Sequence, residues 1–96
     1  MMLLTKAIEA QIPELGATDG QGNDAIIYAK YFTPDSNWTW YATEYNAEDR
    51  LFYGFVDGLE KEFGYFSLDE LLSARGPLGL PIERDLHFCG TLGDVR

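Results

Sequence analysis

The first apolar positions of the chain recur at helical spacing. They are Leu4, Ile8, Ile12 and Leu15. Residues spaced by three or four lie on one side of a helix. Thr5 is a good N-cap, and Pro13 disfavours helical geometry at the residue before it. The pattern predicts a short amphipathic helix over residues 4–12, followed by a glycine-rich loop over residues 16–24.

Two segments rich in β-branched and aromatic side chains come next. They are residues 25–32, AIIYAKYF, and residues 38–45, WTWYATEY. Such segments favour strands. The intervening TPDSN consists of turn formers, and Pro34 suits the second position of a type I turn. We therefore predict a hairpin with a five-residue loop, in which residue 32 pairs with residue 38.

A second hairpin is predicted around Asp57 and Gly58. The apolar run LFYGFV at residues 51–56 precedes this pair, and LEKEF follows it. An Asp-Gly pair between apolar runs is typical of a two-residue turn with positive φ at both positions. Such a turn would place Val56 opposite Leu59.

A second helix is predicted after this hairpin. Ser67 and Glu70 have the spacing of a capping box. Gly76 and Pro77 then end the helix near Arg75. The following GPLGLP is too rich in glycine and proline for regular structure.

A last strand is predicted over residues 84–89, with Leu86 and Phe88 facing inward. Together these elements predict an α+β fold in a single domain, residues 1–96. We expect an antiparallel sheet of four to five strands, with two short helices packed on one face.

The charge balance restricts the class of partner. The chain has 16 acidic and 7 basic residues, a net charge of −9. Binding to a phosphate backbone needs clustered Lys and Arg, so direct nucleic-acid binding is disfavoured and a basic protein partner is favoured. Cys89 is the single cysteine, which excludes an internal disulfide and fits a reducing compartment. No signal-peptide or membrane-spanning pattern is present, and a cytoplasmic protein is expected.

The tryptophans Trp38 and Trp40 raise the question of which side of the first hairpin is buried. The predicted 32–38 pairing puts them on one face with Phe32, and this bulkier face is expected to pack under the helices. The other face is then a row of tyrosines and threonines facing solvent, a composition that interfaces favour. The predicted partner-binding residues combine this row with nearby acids: Tyr31, Tyr41, Glu44, Tyr45, Glu48 and Asp49.

The reverse orientation gives a different function. Phe32, Trp38 and Trp40 would then form an exposed stacking platform for single-stranded nucleic acid. The acidic charge counts against that alternative, because the platform would lack a basic groove.

No catalytic residue, cofactor or metal ligand is predicted. His87 and Cys89 share one strand face with Asp85, but direct neighbours on one strand rarely supply a nucleophile–base geometry. A zinc site would need more soft ligands than the chain has. The chain is therefore expected not to be an enzyme. A small enzyme remains an alternative, with Glu60, Glu62 or Asp85 and His87 as the acid–base set.

Three long segments resemble a known family. They are AKYFTPDSNWTWYATE, FYGFVDGLEKEFGYFSLDEL and SARGPLGLPIERDLHF. Together the chain resembles, over residues 3–88, the bacterial domain-of-unknown-function family number 2958. The resemblance implies a small accessory protein typical of plasmids, phages and integrative elements, and it implies no catalytic residue. The blocks TPDSNW and RGPLGLPIERD are either functional surface or folding devices.

The resemblance and the charge together predict a non-enzymatic, acidic, protein-binding protein from a mobile genetic element. The expected partner is a basic host protein, such as a nucleic-acid-handling complex. An inhibitor of a host defence system, of the anti-CRISPR or anti-restriction type, would act by occluding a basic nucleic-acid-binding surface. Either a monomer or a homodimer is compatible with the sequence.

Overall fold

The computed structural model describes residues 1–96 and contains seven strands and three short helices. The helices are α1 (Lys6–Gln11), α2 (Leu68–Ser73) and α3 (Leu92–Val95), and a 3-10 turn covers Gly22–Asp24. The strands are β1 (Ile26–Ile27), β2 (Ala29–Phe32), β3 (Thr39–Asn46), β4 (Leu51–Asp57), β5 (Lys61–Ser67), β6 (Glu83–Arg84) and β7 (Gly90–Thr91).

The strands form one five-stranded antiparallel sheet and one two-stranded sheet. The order in the larger sheet is β5-β4-β3-β2-β6, and β1 pairs with β7 in the smaller one. This confirms the predicted α+β fold with an antiparallel sheet. Short edge strands such as β6 limit pairing with other chains, whereas β5 at the opposite edge has seven residues.

The predicted caps of α1 and α2 are present. The Thr5 Oγ1 accepts a hydrogen bond from the Ile8 N–H at 3.1 Å, and the Ser67 Oγ accepts one from the Glu70 N–H at 2.9 Å. Each bond satisfies an N–H that the first helical turn leaves unpaired. Helix α2 therefore begins directly after its predicted cap, Ser67. Helix α1 begins directly after Thr5, at Lys6, and not at residue 4 as predicted.

The first hairpin differs from the prediction by one residue in register. Phe32 pairs with Thr39, and Tyr31 pairs with Trp40. Thr33 closes the loop, since its N–H donates to the Trp38 carbonyl at 3.0 Å. Because side chains alternate between faces, a slip of one residue moves every side chain of one strand to the other face.

A β-bulge at Thr43 again changes which side chains of β3 lie on each face of the sheet. The pairing with β4 passes from Ala42–Gly54 to Glu44–Tyr53, which leaves Thr43 without a partner. Beyond such an extra residue the alternation of the strand is reversed. Tyr45 therefore lies on the same face as Ala42.

The sheet carries a cluster of buried side chains on each face. We call the face with Trp40, Ala42 and Tyr45 the front face. Its cluster includes Leu3 and Ile12, which flank α1, and Leu68 and Leu71 of α2. The other face is the back face, and its buried cluster is Ala25, Ile27, Tyr41, Phe55 and Leu92.

The second hairpin forms, but its register is wider than predicted. Asp57 pairs with Lys61 and Val56 pairs with Glu62, so the connection is the three-residue Gly58–Glu60. Gly58 does not have a positive φ. The predicted two-residue turn and the Val56–Leu59 pair are therefore wrong.

The C-terminal segment also departs from the prediction. The expected strand over residues 84–89 is replaced by the short β6, a turn, and the short β7. Leu86, expected to face inward, is exposed, whereas Phe88 packs partly against the back-face cluster. The helix α3 was not predicted. Its capping box joins Thr91 and Asp94.

The blocks TPDSNW and RGPLGLPIERD are distant in sequence but meet in the fold. The Asp35 Oδ2 accepts a hydrogen bond from the Leu78 N–H at 2.8 Å. The other oxygen of Asp35 lies against the Cα of Gly76, where a Cβ would overlap it. Asp35 thus fixes the GPLGLP loop to the first hairpin. None of the helices has the length and apolar composition needed to cross a bilayer.

Candidate protein-binding surface

Trp38 and Trp40 form a partly exposed aromatic stack at one end of the front face. Their ring centroids are 5.8 Å apart with an interplanar angle of 24°. Trp40 is half-buried and packs against the front-face cluster, whereas Trp38 is 37% exposed. The expectation that both tryptophans are core is therefore wrong for Trp38. Trp40 anchors the stack, and part of the Trp38 ring is exposed to solvent.

The position of Trp38 depends on a glycine in the neighbouring hairpin. The indole ring lies against Gly58, and a Cβ at Gly58 would overlap ring atoms of Trp38. Close approach of a ring to a backbone requires a residue without a side chain. The Trp38 ring therefore contacts the backbone of Gly58 and stacks on the ring of Trp40.

A cross-strand row extends this surface over the front face. Trp40 pairs with Val56, and Val56 pairs with Glu62. Residues paired in this way have Cβ atoms about 4.5–5.5 Å apart. Leu59, in the turn, is 91% exposed. A shallow cavity of about 310 Å³ is lined by Trp38, Val56, Leu59, Glu60 and Glu62.

The carboxylates of this surface have no cation within the chain. The two ion pairs of the protein lie elsewhere: Lys30–Asp85 at 3.6 Å and Arg50–Asp69 at 2.9 Å. Glu60 and Glu62 are both exposed. We call Trp38, Trp40, Val56, Leu59, Glu60 and Glu62 the tryptophan–acid surface. It combines an aromatic face with two unneutralised negative charges.

The predicted tyrosine row does not face solvent. Tyr31, Tyr41 and Tyr45 are 0%, 8% and 6% exposed. The Tyr31 hydroxyl donates to the Leu3 carbonyl at 2.6 Å. Burial raises the pKa of all three phenols. The slip in register and the bulge at Thr43 distribute these rings between the two buried clusters, so the prediction of an exposed tyrosine face is wrong.

Glu44 was also expected at the surface, yet it is 2% exposed. Its carboxylate accepts hydrogen bonds from the Gly16 N–H at 2.7 Å and the Thr18 N–H at 3.0 Å. The Thr18 hydroxyl donates to the same carboxylate. A buried carboxylate is tolerated when several donors surround it. Glu44 therefore organises the glycine-rich loop and is inaccessible to a partner.

Glu48 and Asp49 are exposed in the turn between β3 and β4, as predicted. The Asp49 N–H donates to the Asn46 Oδ1 at 2.9 Å, which fixes the turn. Glu48 joins Glu9 and Glu14 at the rim of a cavity of about 560 Å³. This acidic groove is distinct from the tryptophan–acid surface.

The three members of the alternative platform are not on one face. Trp38 and Trp40 stack on the front face, whereas Phe32 pairs with Thr39 and so projects from the back face. Phe32 is half-buried beside Lys30 at a polar cavity of about 440 Å³. The platform is therefore the two tryptophans with Val56, without Phe32.

The residues of the alternative acid–base set lie apart. Glu60 and Glu62 belong to the β4–β5 hairpin, whereas Asp85 and His87 follow β6 at the opposite edge of the sheet. The Asp85 Oδ1 accepts a hydrogen bond from the His87 N–H at 3.0 Å. This bond, and secondarily Lys30, lowers the pKa of Asp85. The structure does not bring the set together as one site.

Sequence reasoning did not connect Glu60, Glu62 and Leu59 with the tryptophans. The turn signals predicted the strands of both hairpins. They did not predict the register, which pairs Val56 with both Trp40 and Glu62. The glycine of the Asp57-Gly58 turn is the one sequence signal near this contact, because it could have indicated a close approach of another side chain.

The fold and this surface define a small α+β domain that presents an aromatic stack bordered by acids. The chain belongs to the family described as "Protein of unknown function (DUF2958)", whose model matches residues 3–93. This confirms the resemblance found in the sequence. The comparisons found no match among curated proteins and none among solved structures.

Proposed function

We propose that this chain is a non-enzymatic protein-binding protein whose tryptophan–acid surface engages arginine side chains of a basic partner. The observation that carries the proposal is the partly exposed ring of Trp38, which lines one cavity with Glu60 and Glu62. Neither carboxylate has a cation within the chain. A partly exposed indole ring and free carboxylates together match the chemistry of a guanidinium group.

Arginine fits this surface better than lysine. A guanidinium plane stacks on a tryptophan face while its N–H groups bind a carboxylate in a fork geometry. The net charge of −9 adds a longer-range attraction that speeds association with a basic protein.

The surface is also arranged before binding. Trp38 is held by Gly58 and by its stack on Trp40, at a centroid distance of 5.8 Å. A ring that is already ordered loses little side-chain entropy when a partner docks. Leu59 and Val56 provide apolar area around the ring, as the centre of an interface does.

Binding to this surface would also block the partner's contact with nucleic acid. Arginines that bind nucleic acid donate hydrogen bonds to phosphates. The same N–H groups can instead donate to carboxylates. A chain that occupied them would exclude nucleic acid from the partner. We therefore propose inhibition of a host defence complex, of the CRISPR or restriction type, as the biological role.

The exposed tryptophan stack favours a second candidate, single-stranded nucleic-acid binding. Base stacking on a tryptophan face needs no sequence signal. Glu60 and Glu62 oppose it, because they would repel the phosphates that follow each stacked base.

The test uses synthetic probes and tryptophan fluorescence. An oligoarginine peptide is titrated into the protein, with an oligocitrulline peptide of equal length as the uncharged control. We expect saturable quenching by oligoarginine, weakened by salt. The Glu60→Gln/Glu62→Gln variant should bind roughly tenfold more weakly, about 1.4 kcal/mol.

The matched control is Glu14→Gln/Glu48→Gln, which removes the same charge from the acidic groove. We expect its affinity to change much less. Equal losses in the two variants would mean that net charge alone attracts the peptide, and the proposed surface would be refuted. Quenching by single-stranded DNA at low salt would instead favour the second candidate.

The natural partner can be sought with the same variants. The tagged chain and its Glu60→Lys/Glu62→Lys variant are used to capture proteins from a bacterial lysate treated with nuclease. The expected partner is a basic protein retained by the native chain and lost by the variant. Addition of the chain should then displace labelled DNA from that purified partner; unchanged DNA binding would contradict the inhibitory role.

A further inference from the structure

The outer edge of β5 has no partner strand. This strand, Lys61–Ser67, pairs with β4 on one side and ends the five-stranded sheet. Lys61, Glu62, Phe63 and Tyr65 are all exposed. A long edge strand presents unpaired N–H and C=O groups that can pair with another chain.

We infer that β5 pairs with the β5 of a second copy of this chain, antiparallel and centred on Gly64. Symmetric dimers use the same patch on both subunits. A twofold axis perpendicular to the sheet at Gly64 would place Phe63 of one copy opposite Tyr65 of the other. The same operation places Lys61 opposite Ser67. The result is one continuous ten-stranded sheet.

Aromatic contacts on the back face support this register. Phe63 and Tyr65 already flank Tyr53, at centroid distances of 6.4 and 5.0 Å. Tyr65 is nevertheless 65% exposed. The proposed pairing sets each Tyr65 beside the Phe63 of the second copy, and cross-strand aromatic pairs stabilise antiparallel sheets.

The residue at the proposed axis, Gly64, has no side chain. A Cβ built at Gly64 would have no atom within 4 Å. The two copies of Gly64 therefore face each other with open space on the front face and no side-chain clash. A register centred on Glu62 would instead put two like charges directly opposite each other, which destabilises a strand pair.

The charges near the ends of β5 are complementary in the same register. Lys61 makes no ion pair and no side-chain hydrogen bond. Lys6, on α1, also makes neither type of contact. Opposite Ser67 of the second copy, Lys61 would lie near the acids in the first turn of α2. Those acids are Glu70, which makes no ion pair, and Asp69, which already pairs with Arg50.

The dimer would have a consequence for the tryptophan–acid surface, although the inference does not rest on the proposed function. A twofold axis perpendicular to the sheet keeps both front faces on the same side. Two tryptophan–acid surfaces would then point in one direction, which permits bivalent attachment to a partner with two sites.

The first test is sedimentation equilibrium of the full chain alone over a range of concentrations. We expect the mass to rise toward twice the 10.8 kDa of one chain. Association should strengthen with salt, because each copy carries a net charge of −9. This salt dependence is opposite to that expected for the basic partner, so the two proposals can fail separately.

Two charge-reversal variants make the test specific. Lys61→Glu should raise the dissociation constant roughly tenfold, whereas Lys6→Glu, with the same charge change on α1, should shift it much less. A mass of one chain at every concentration, or equal effects of the two variants, would overturn the inference.

Disulfide trapping tests the register itself. Gly64→Cys and Tyr65→Cys are each made with Cys89→Ser, which removes the native exposed thiol. Disulfide formation needs Cβ atoms about 3.5–4.5 Å apart. Directly opposite residues, at about 4.5–5.5 Å, need only a small shift to reach this distance, whereas diagonal ones lie about 7–8 Å apart. Gly64→Cys should form a crosslinked dimer readily on mild oxidation and Tyr65→Cys should form it more slowly. The reverse order, or no crosslink at position 64, would overturn the register.

Discussion

The backbone of Gly58 lies directly against the indole ring of Trp38, and a side chain at position 58 would overlap that ring. This contact joins the turn of the second hairpin to the end of the first. It also explains why glycine is present at a turn position where φ is not positive. The exposed aromatic stack therefore depends on two residues that are distant in sequence.

Gly58→Ala is expected to displace Trp38 from Trp40 without unfolding the protein. The ring is partly exposed and can swing outward, so the cost in unfolding free energy should be roughly 1 kcal/mol or less. Tryptophan fluorescence and near-ultraviolet circular dichroism should both change, and affinity for oligoarginine should fall.

Gly64→Ala is the matched control for Gly58→Ala in the same hairpin. A Cβ there meets no atom, and alanine costs less conformational entropy than glycine in a strand. The control should keep the native tryptophan spectrum. Identical spectra for Gly58→Ala and the native chain would show that Gly58 does not position the ring.

Glu44→Gln is expected to destabilise the chain by about 1–3 kcal/mol. The substitution weakens the charge-assisted bonds from the Gly16 and Thr18 amides, and it brings an amide group against backbone donors. Urea unfolding measures the loss. Glu48→Gln, at an exposed position, should change stability by no more than about 0.5 kcal/mol; a comparable loss there would contradict the role of Glu44.

Stability is expected to fall above about pH 10 because burial raises the pKa of Tyr31 in the folded state. The sign follows from proton binding: between the unfolded and folded pKa values the native state keeps a proton that the unfolded state has released. The contribution is complete below pH 10 and is lost as the pH rises further.

Tyr31→Phe isolates this effect. The variant loses the hydrogen bond to the Leu3 carbonyl, which should cost roughly 1–3 kcal/mol at neutral pH. Its stability should then fall less steeply than that of the native chain between pH 10 and 11, as measured by urea unfolding. Parallel pH profiles would mean that Tyr31 is not the titrating group.

The contact between Asp35 and Gly76 predicts strong coupling between two substitutions. Gly76→Ala alone should be destabilising, because the new Cβ would overlap the Asp35 carboxylate. In an Asp35→Ala background the same substitution should cost about 1 kcal/mol less, as expected for residues in direct contact. A double-mutant cycle by urea unfolding measures this coupling. Additive losses would show that Asp35 does not hold the loop against Gly76.

The sequence by itself determined the elements with strong local signals. The capping residues Thr5 and Ser67 placed the starts of two helices, and turn formers placed both hairpins, because these signals act within a few residues. These elements were sufficient to predict the α+β fold. The net charge was likewise fixed by composition.

Only the tertiary structure decided which aromatic side chains are accessible. Both sides of the first hairpin carry large apolar residues, so neither pattern nor volume selects the buried face. The pairing of Tyr31 with Trp40 and the bulge at Thr43 made that choice. A change of one residue in register reverses every side chain of a strand. The buried Glu44 and the exposed Trp38 both follow from contacts that span the chain.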